Sequence, residues 1–152
     1  MTTVDIREIP IHSDDAQRLI GMLDQELLIE YPPEHVHAVD VESFHRNGGV
    51  FVVGYDAEMP IACGALRPVD RSEVELKRMY VVDSRRGRGV SRQILQFLET
   101  KARQLGFARL VLETGDAQHS AIRLYSTAGF DRIESFGEYG NGIRSICFAK
   151  DL

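Results

Sequence analysis

The stretch Arg85-Arg86-Gly87-Arg88-Gly89-Val90-Ser91-Arg92 joins two segments of different hydrophobic character. Before it, Val74 to Val82 has the composition of a strand and is entered through the polar turn Asp70-Arg71-Ser72. After it, Val90, Ile94, Leu98, Ala102 and Leu105 recur at intervals of four, four, four and three, the spacing of one helix face. Gly106 stands where a left-handed carboxyl cap is wanted. Leu110 to Glu113 is then a short apolar strand. Strand, helix and strand at these lengths make a crossover unit, so the strands around Leu76 and Val111 are predicted to be parallel neighbours.

Outward from this unit the pattern alternates. Towards the amino terminus, Phe51 to Tyr55, a turn around Asp56 to Pro60, and Ile61 to Leu66 read as an antiparallel hairpin. Earlier still, Val4, Ile6 and Ile9 suggest a strand, and Ser13 or Asp14 can cap a helix with the apolar face Ala16, Leu19, Ile20, Leu23 and Leu27. Tyr31-Pro32-Pro33 breaks that helix, because neither proline can donate a backbone hydrogen bond. Asp40 can cap a short helix that ends near Gly48-Gly49. Towards the carboxyl terminus, a helix near Ser120 to Ala128 closes at Gly129, Ile133 begins a strand, Phe136 to Gly142 is a glycine-rich turn, and Ile143 to Lys150 is the last strand. The expected fold is α/β, a single domain over residues 1–152. Its mixed sheet is antiparallel at the start and parallel around the crossover.

Composition narrows the function classes. With 43% hydrophobic and 27% charged residues in 152, the chain is an ordinary globular one that can bury a core. A formal net charge of -5 argues against a broad nucleic-acid-binding face while leaving room for a local anion site. Cys63 and Cys147 lie in apolar surroundings without CxxC spacing, so they read as reduced core thiols, and the histidines His12, His35, His37, His45 and His119 show no metal-ligand spacing. Met1 to Pro10 has no apolar leader core and no run is long enough for a membrane span, so a cytoplasmic protein that binds neither membrane nor nucleic acid is expected.

The arginine-rich octapeptide then stands out. A helix amino terminus already carries partial positive charge and unpaired N–H groups, so clustered cations there are unfavourable unless an anion is present. Gly87 and Gly89 let the backbone approach a phosphate, and first-turn amides and guanidinium forks supply donors. The plain alternative is a solvated basic turn whose glycines serve geometry alone. There is no Walker sequence, and a dinucleotide fingerprint would need glycine where Arg92 stands.

Arg86-Gly87-Arg88-Gly89-Val90-Ser91 resembles the Q/R-x-x-G-x-G/A motif of the GNAT superfamily of N-acetyltransferases. The order of segments around it strengthens the resemblance: Glu75 to Val81 before it, the long helix after it, Leu110 to Gly115, and Ala121-Ile122-Arg123-Leu124-Tyr125 running into Ala128-Gly129-Phe130. Ser91 departs from the usual Gly or Ala. The resemblance implies an acyl-CoA N-acyltransferase type of fold with acetyl-CoA as cosubstrate. Arg86, Gly87, Arg88, Gly89, Val90 and Ser91 would cradle its pyrophosphate, and a main-chain N–H near Met79, Tyr80 or Val81 would polarise the thioester carbonyl.

Acetyl transfer to an amine also needs a proton acceptor and a donor for the leaving thiolate, because an alkylammonium is mostly protonated at neutral pH. Glu75, eleven residues before Arg86, matches the register of the general-base glutamate of several members of that family. The structural alternative is a carboxylate paired with Lys77 on the same strand face. Tyr125 matches the tyrosine whose hydroxyl lies beside the coenzyme sulfur; its alternative is a packed ring. Glu26, Glu113 and Glu138 are reserve carboxylates. The function implied is N-acetylation of a primary amine on a small molecule or peptide by direct attack. The partners are acetyl-CoA and an amine acceptor, and a homodimer is compatible with that reading. The alternatives are a non-catalytic acyl-CoA-binding sensor or accessory module, and a structural domain whose basic loop meets an acidic partner.

Overall fold

Ser13 starts the first long helix: its Oγ accepts the Ala16 N–H at 3.4 Å, with Asp14 and Asp15 in the first turn, where negative charge suits the helix dipole. A computed structural model describes residues 3–36, 39–137 and 144–152. Its elements in order are β1 (Asp5–Glu8), α1 (Asp14–Glu30), a 3₁₀ turn (Pro33–His35), α2 (Val41–Arg46), β2 (Val50–Asp56), β3 (Met59–Pro68), β4 (Glu73–Val81), a 3₁₀ turn (Asp83–Arg85), α3 (Val90–Gln104), β5 (Arg109–Gly115), α4 (His119–Thr127), β6 (Asp131–Ile133) and β7 (Ser145–Asp151). Among the described residues seven strands form one sheet in the order β1-β2-β3-β4-β5-β7-β6, with only the β4–β5 pair parallel. This is the mixed α/β sheet expected from the sequence, and the parallel neighbours are Glu75 with Val111 and Leu76 with Leu112.

Helices cover both faces. Val90, Ile94 and Leu98 of α3 and Tyr125 of α4 pack on Val52, Leu66, Leu76, Leu110 and Phe148, whereas Ala16 and Leu19 of α1 and Phe44 of α2 pack on Phe51, Val53, Cys63 and Ala65. Each fully buried Leu or Ile contributes about 1.5–3 kcal/mol by leaving water. Gly64 lets α3 press closely on the sheet, since a Cβ there would lie 2.8 Å from both Leu98 Cδ1 and Met79 Sδ. Cys63 and Cys147 are buried free thiols.

Several local expectations are corrected. The β2–β3 hairpin turns on two residues, Ala57 and Glu58, at φ 48° and 70°, rather than over Asp56 to Pro60. Two left-handed residues give the twist that flanking strands require, and here non-glycine residues adopt it. Ile133 ends β6 instead of beginning it, because the pairing with β7 runs from Asp131–Ala149 to Ile133–Cys147. His35 lies in a 3₁₀ turn after Pro32. Leu105, the last residue of the expected α3 face, is 49% exposed at the carboxyl cap of the helix. Glu138, His37, the start of the last strand at Ile143 and most of the glycine-rich turn lie outside the described residues.

Candidate active site

The parallel ladder between β4 and β5 stops at the Leu76–Leu112 pair, although β4 continues to Val81 and β5 to Gly115. The cause lies in β4. Between the pairs Cys63–Tyr80 and Ala65–Lys77, two steps along β3 oppose three along β4, and Arg78 sits at φ 58°. Such a bulge increases the local twist and swings the strand away from its neighbour. Backbone N–H groups alternate sides along a strand, and the Val82 N–H donates to Ile61 O of β3 at 2.9 Å. The N–H groups of Val81 and Met79 therefore face the opening between β4 and β5.

A cleft of about 860 Å³ fills this opening. At one end is the α3 amino terminus. Gly87 and Gly89 adopt φ 76° and 78°, and Gly89 is the N-cap. A Cβ on Gly87 would meet nothing within 4 Å, so conformation alone calls for glycine there. The first bond inside the helix runs from Gln93 N–H to Gly89 O, which leaves the Val90, Ser91 and Arg92 amides as first-turn donors. The arginines are more engaged than their clustering suggests. Arg85 pairs with Asp56 and Arg92 donates to Thr127 Oγ1 at 2.8 Å. Arg86 donates through Nη2 to both oxygens of Glu26 and through Nε to Val81 O, with its guanidinium 5.5 Å from the Tyr80 ring centroid. Arg88 is exposed and does not line the cleft.

The two groups proposed for proton transfer both line this cleft. Glu75 is 1% exposed and ion-paired with Arg67, and Lys77 Nζ lies 3.8 Å from its Oε2. Its place beside Lys77 fits the structural alternative as well as the chemical one. Tyr125 is buried, its ring edge-on to Phe130 with centroids 5.5 Å apart, and burial pushes its hydroxyl pKa well above the ordinary value. Lys150 helps to fix it: Nζ donates to Ala128 O at the end of α4 and pairs with buried Glu99 of α3 at 2.5 Å. Of the reserve carboxylates, Glu26 is held by Arg86, and Glu113 accepts from Ser145 Oγ at 3.5 Å.

Sequence reasoning missed two features at this cleft. Tyr31 accepts the Ala117 N–H at 2.9 Å and carries the Arg144 guanidinium 4.4 Å from its ring centroid, joining the end of α1 to the end of β5. Gly115 makes room, since a Cβ there would overlap the Tyr31 hydroxyl. The second is the contact between Arg78 Nη1 and Asp24 Oδ1 at 2.6 Å. Its one sequence signal is an aspartate next to the apolar stripe of α1 at Leu23.

Residues 16–130 match the family model of the acetyltransferase (GNAT) family. The chain is 33% identical over 149 residues to the uncharacterized N-acetyltransferase YsnE of Bacillus subtilis (strain 168), covering 95% of this chain and 99% of that one. It is 34% identical over 147 residues to the IAA acetyltransferase of Azospirillum brasilense, covering 96% and 95%. A GNAT family acetyltransferase from Elizabethkingia anophelis, solved with acetyl-CoA bound, superposes with a TM-score of 0.71 at 20% identity over 100% of both chains. No helix among the described residues is long and apolar enough to cross a membrane.

Proposed function

The chain belongs to the acetyltransferase (GNAT) family, and from that premise we propose that its cleft transfers the acetyl group of acetyl-CoA to a primary amine of a small molecule or peptide by direct attack. The observation that carries the reading is the joining, in one cleft, of the Gly87–Ser91 amide cradle to the wedge where β4 leaves β5. The residues present fit the cosubstrate. An anion with several oxygens suits the first-turn amides of α3 and the left-handed backbone at Gly87 and Gly89, with Arg86 beside the cradle and Arg88 at its exposed edge. An extended chain suits β4, where Met79, Tyr80 and Val81 line the wedge and the edge that faces β5 has no ladder partner among the described residues.

Bound acetyl-CoA supplies an acyl thioester. The Met79 and Val81 N–H groups, which face the opening between β4 and β5, would donate to its carbonyl oxygen as negative charge builds there, and fixed donors of this kind stabilise that charge without reorganising. The amine nitrogen forms a bond to the carbonyl carbon as the carbon–sulfur bond breaks. Glu75, directly or through water, takes the proton that the amine must lose, and Tyr125 donates one to the departing thiolate. A phenol is protonated throughout the neutral range, so the Tyr125 hydroxyl can donate to the thiolate as it forms, and it regains from solvent any proton it gives up. Burial raises its pKa further and so keeps the donor form. The buried thiols Cys63 and Cys147 suit a reducing compartment, so the reading includes a cytoplasmic location. All the groups it invokes lie on one chain, so a homodimer is compatible with it and not required.

The test is to incubate the protein with acetyl-CoA and a panel of primary amines, aminoacyl compounds and peptides while following thiol release. Acceptor-dependent release is expected. Tight binding of acetyl-CoA without release on any amine favours a non-catalytic module instead.

A further inference from the structure

We infer that Asp24 is a positioning residue for the thioester carbonyl: through its contact with Arg78 it holds the β4 bulge in the conformation that aims the Met79 and Val81 amides into the cleft. The inference rests on the proposed role of those amides.

Arg78 is one of three described non-glycine residues with positive φ, and the other two form the exposed β2–β3 turn, where a left-handed pair is common. Within a strand the left-handed region brings Cβ against the following carbonyl and persists only where surroundings over-determine it. Two contacts do so here. On the backbone, the buried Cys63 thiol donates to Arg78 O at 3.2 Å. On the side chain, which is 5% exposed, Nη1 donates to Asp24 Oδ1 at 2.6 Å, and buried Nε has no hydrogen-bond partner among the described residues. Among the described residues the guanidinium is thus held at one charged point, and that point is on α1.

The placement gives the contact a consequence for chemistry. Met79 directly follows the strained residue, so a change at Arg78 φ rotates the peptide plane that presents the Met79 N–H. On the same helix, Leu23 and Leu27 line the cleft and Glu26 holds Arg86. One turn and a half of α1 therefore touches the bulge, the cleft wall and the phosphate loop.

A tether acting through backbone conformation differs in a testable way from a guanidinium acting on the substrate and from simple cross-bracing. Isotope-edited infrared spectra of acetyl-CoA labelled with carbon-13 at the acetyl carbonyl, bound to the intact protein, report the polarisation of that bond directly. In the wild type the bound carbonyl band is expected below its frequency in free acetyl-CoA. Arg78→Ala, which keeps the penalty on a left-handed φ and loses the tether that offsets it, is expected to relax the bulge and return the band most of the way to the free value while acetyl-CoA still binds. Arg78→Gly, for which φ 58° carries no penalty, is expected to restore most of the displacement. Asp24→Asn, which leaves the packing in place and weakens only the charged contact, is expected to move the band part of the way, and it carries the test alone should Arg78→Ala fail to fold. Equal spectra for the alanine and glycine variants, or an unmoved band in Asp24→Asn, overturn the inference while leaving the acetyltransferase reading intact. A wild-type band at the free frequency overturns the amide-polarisation step, and the inference with it.

Discussion

Arg86 and Glu26 form a two-pronged contact across the mouth of the cleft, with Arg86 Nη2 3.0 Å from Oε1 and 2.8 Å from Oε2. The pair stands beside the amide cradle, so a phosphate arriving there competes with the Glu26 carboxylate for the guanidinium. Both side chains are about two-fifths exposed, at 40% and 42%, which keeps the pair weak, about 1 kcal/mol or less. Arg86 does not depend on Glu26 to stay in place, being also bonded to Val81 O and set over the Tyr80 ring. Glu26→Gln is therefore expected to tighten acetyl-CoA binding by about two- to five-fold. Calorimetry at low and moderate salt checks this, and unchanged or weaker affinity in the variant would show that Arg86 serves the strand and not the phosphate.

The cradle itself should be intolerant of a side chain that carries charge. Gly89 combines a φ of 78° with the N-cap position of α3. Gly89→Glu strains the backbone and puts a carboxylate, which the helix amino terminus attracts, where the anion would sit, so it competes with and repels the incoming phosphate. Binding of acetyl-CoA is expected to be lost while the far-ultraviolet circular dichroism stays native. Retained affinity would place the pyrophosphate elsewhere.

How much of this was legible in the sequence depends on which contacts a feature needs. The α3 face from Val90 to Ala102 and the Gly106 cap are local, and each appears where periodicity puts it. The parallel pairing of Glu75 with Val111 followed from the length of the crossover. The glycine pair is readable from the chemistry of a helix start that meets a phosphate, and the helix near Ser120 to Ala128 from its closing Gly129, while the role of Tyr125 comes from the family pattern. The bulge at Arg78 was not, because an arginine at φ 58° carries no local signature and is held there by Asp24, 54 positions earlier, and by Cys63 from the next strand. The ion-pair partners of the arginine cluster are not legible for a related reason. Its apparent excess charge is partly met by Asp56 and Glu26, which only the tertiary fold brings near.

Cys63 gives the fold a sensitivity to alkali. Burial pushes its thiol from the ordinary 9.0 up to about 12, against the opposing pull of the Arg78 cation. Above pH ~9 the unfolded chain sheds this proton while the folded chain keeps it, so stability is full below that pH and is lost as pH rises towards the folded value. One group contributes a slope of about 1.4 kcal/mol per pH unit within that window. Urea titrations at several pH values should show the wild type losing stability on the alkaline side, with a shallower decline in Cys63→Ala. Parallel declines would assign the effect to the tyrosines, of which Tyr55 is likewise raised, to about 12.

Glu75 faces a sharper test, because Arg67 and Lys77 give it a structural reason to be where it is. Glu75→Gln keeps the shape, removes the charge and leaves two cations against an amide, so some loss of melting temperature is expected on packing grounds alone. A chemical role predicts more. Turnover on a responsive amine should fall by about ten-fold to ten-thousand-fold at neutral pH, with acetyl-CoA affinity little altered. The pH–rate profile separates the two roles, since an acid limb present in the wild type should vanish or move. An unaltered profile would leave Glu75 as part of the charged floor of the cleft.

Tyr125 is the group whose surroundings most restrict its role. Its ring packs edge-on to Phe130 and tilted against Phe148 at 6.1 Å, and α4 is pinned to α3 and β7 by Lys150, so its position does not depend on the hydroxyl. Tyr125→Phe therefore removes a proton donor and leaves the packing, and the melting temperature should change little. If the hydroxyl protonates the departing thiolate, turnover should fall by about ten-fold to a hundred-fold, with acetyl-CoA affinity nearly constant. Burial raises the hydroxyl pKa, so the protonated, active form persists into alkali, and the alkaline limb of the wild-type rate should lie above the pH at which a free phenol titrates, about 10. Rates measured from neutral pH into alkali on both proteins check the two statements together. Normal turnover in the phenylalanine variant would show that the ring is there only to pack and that the thiolate takes its proton from water.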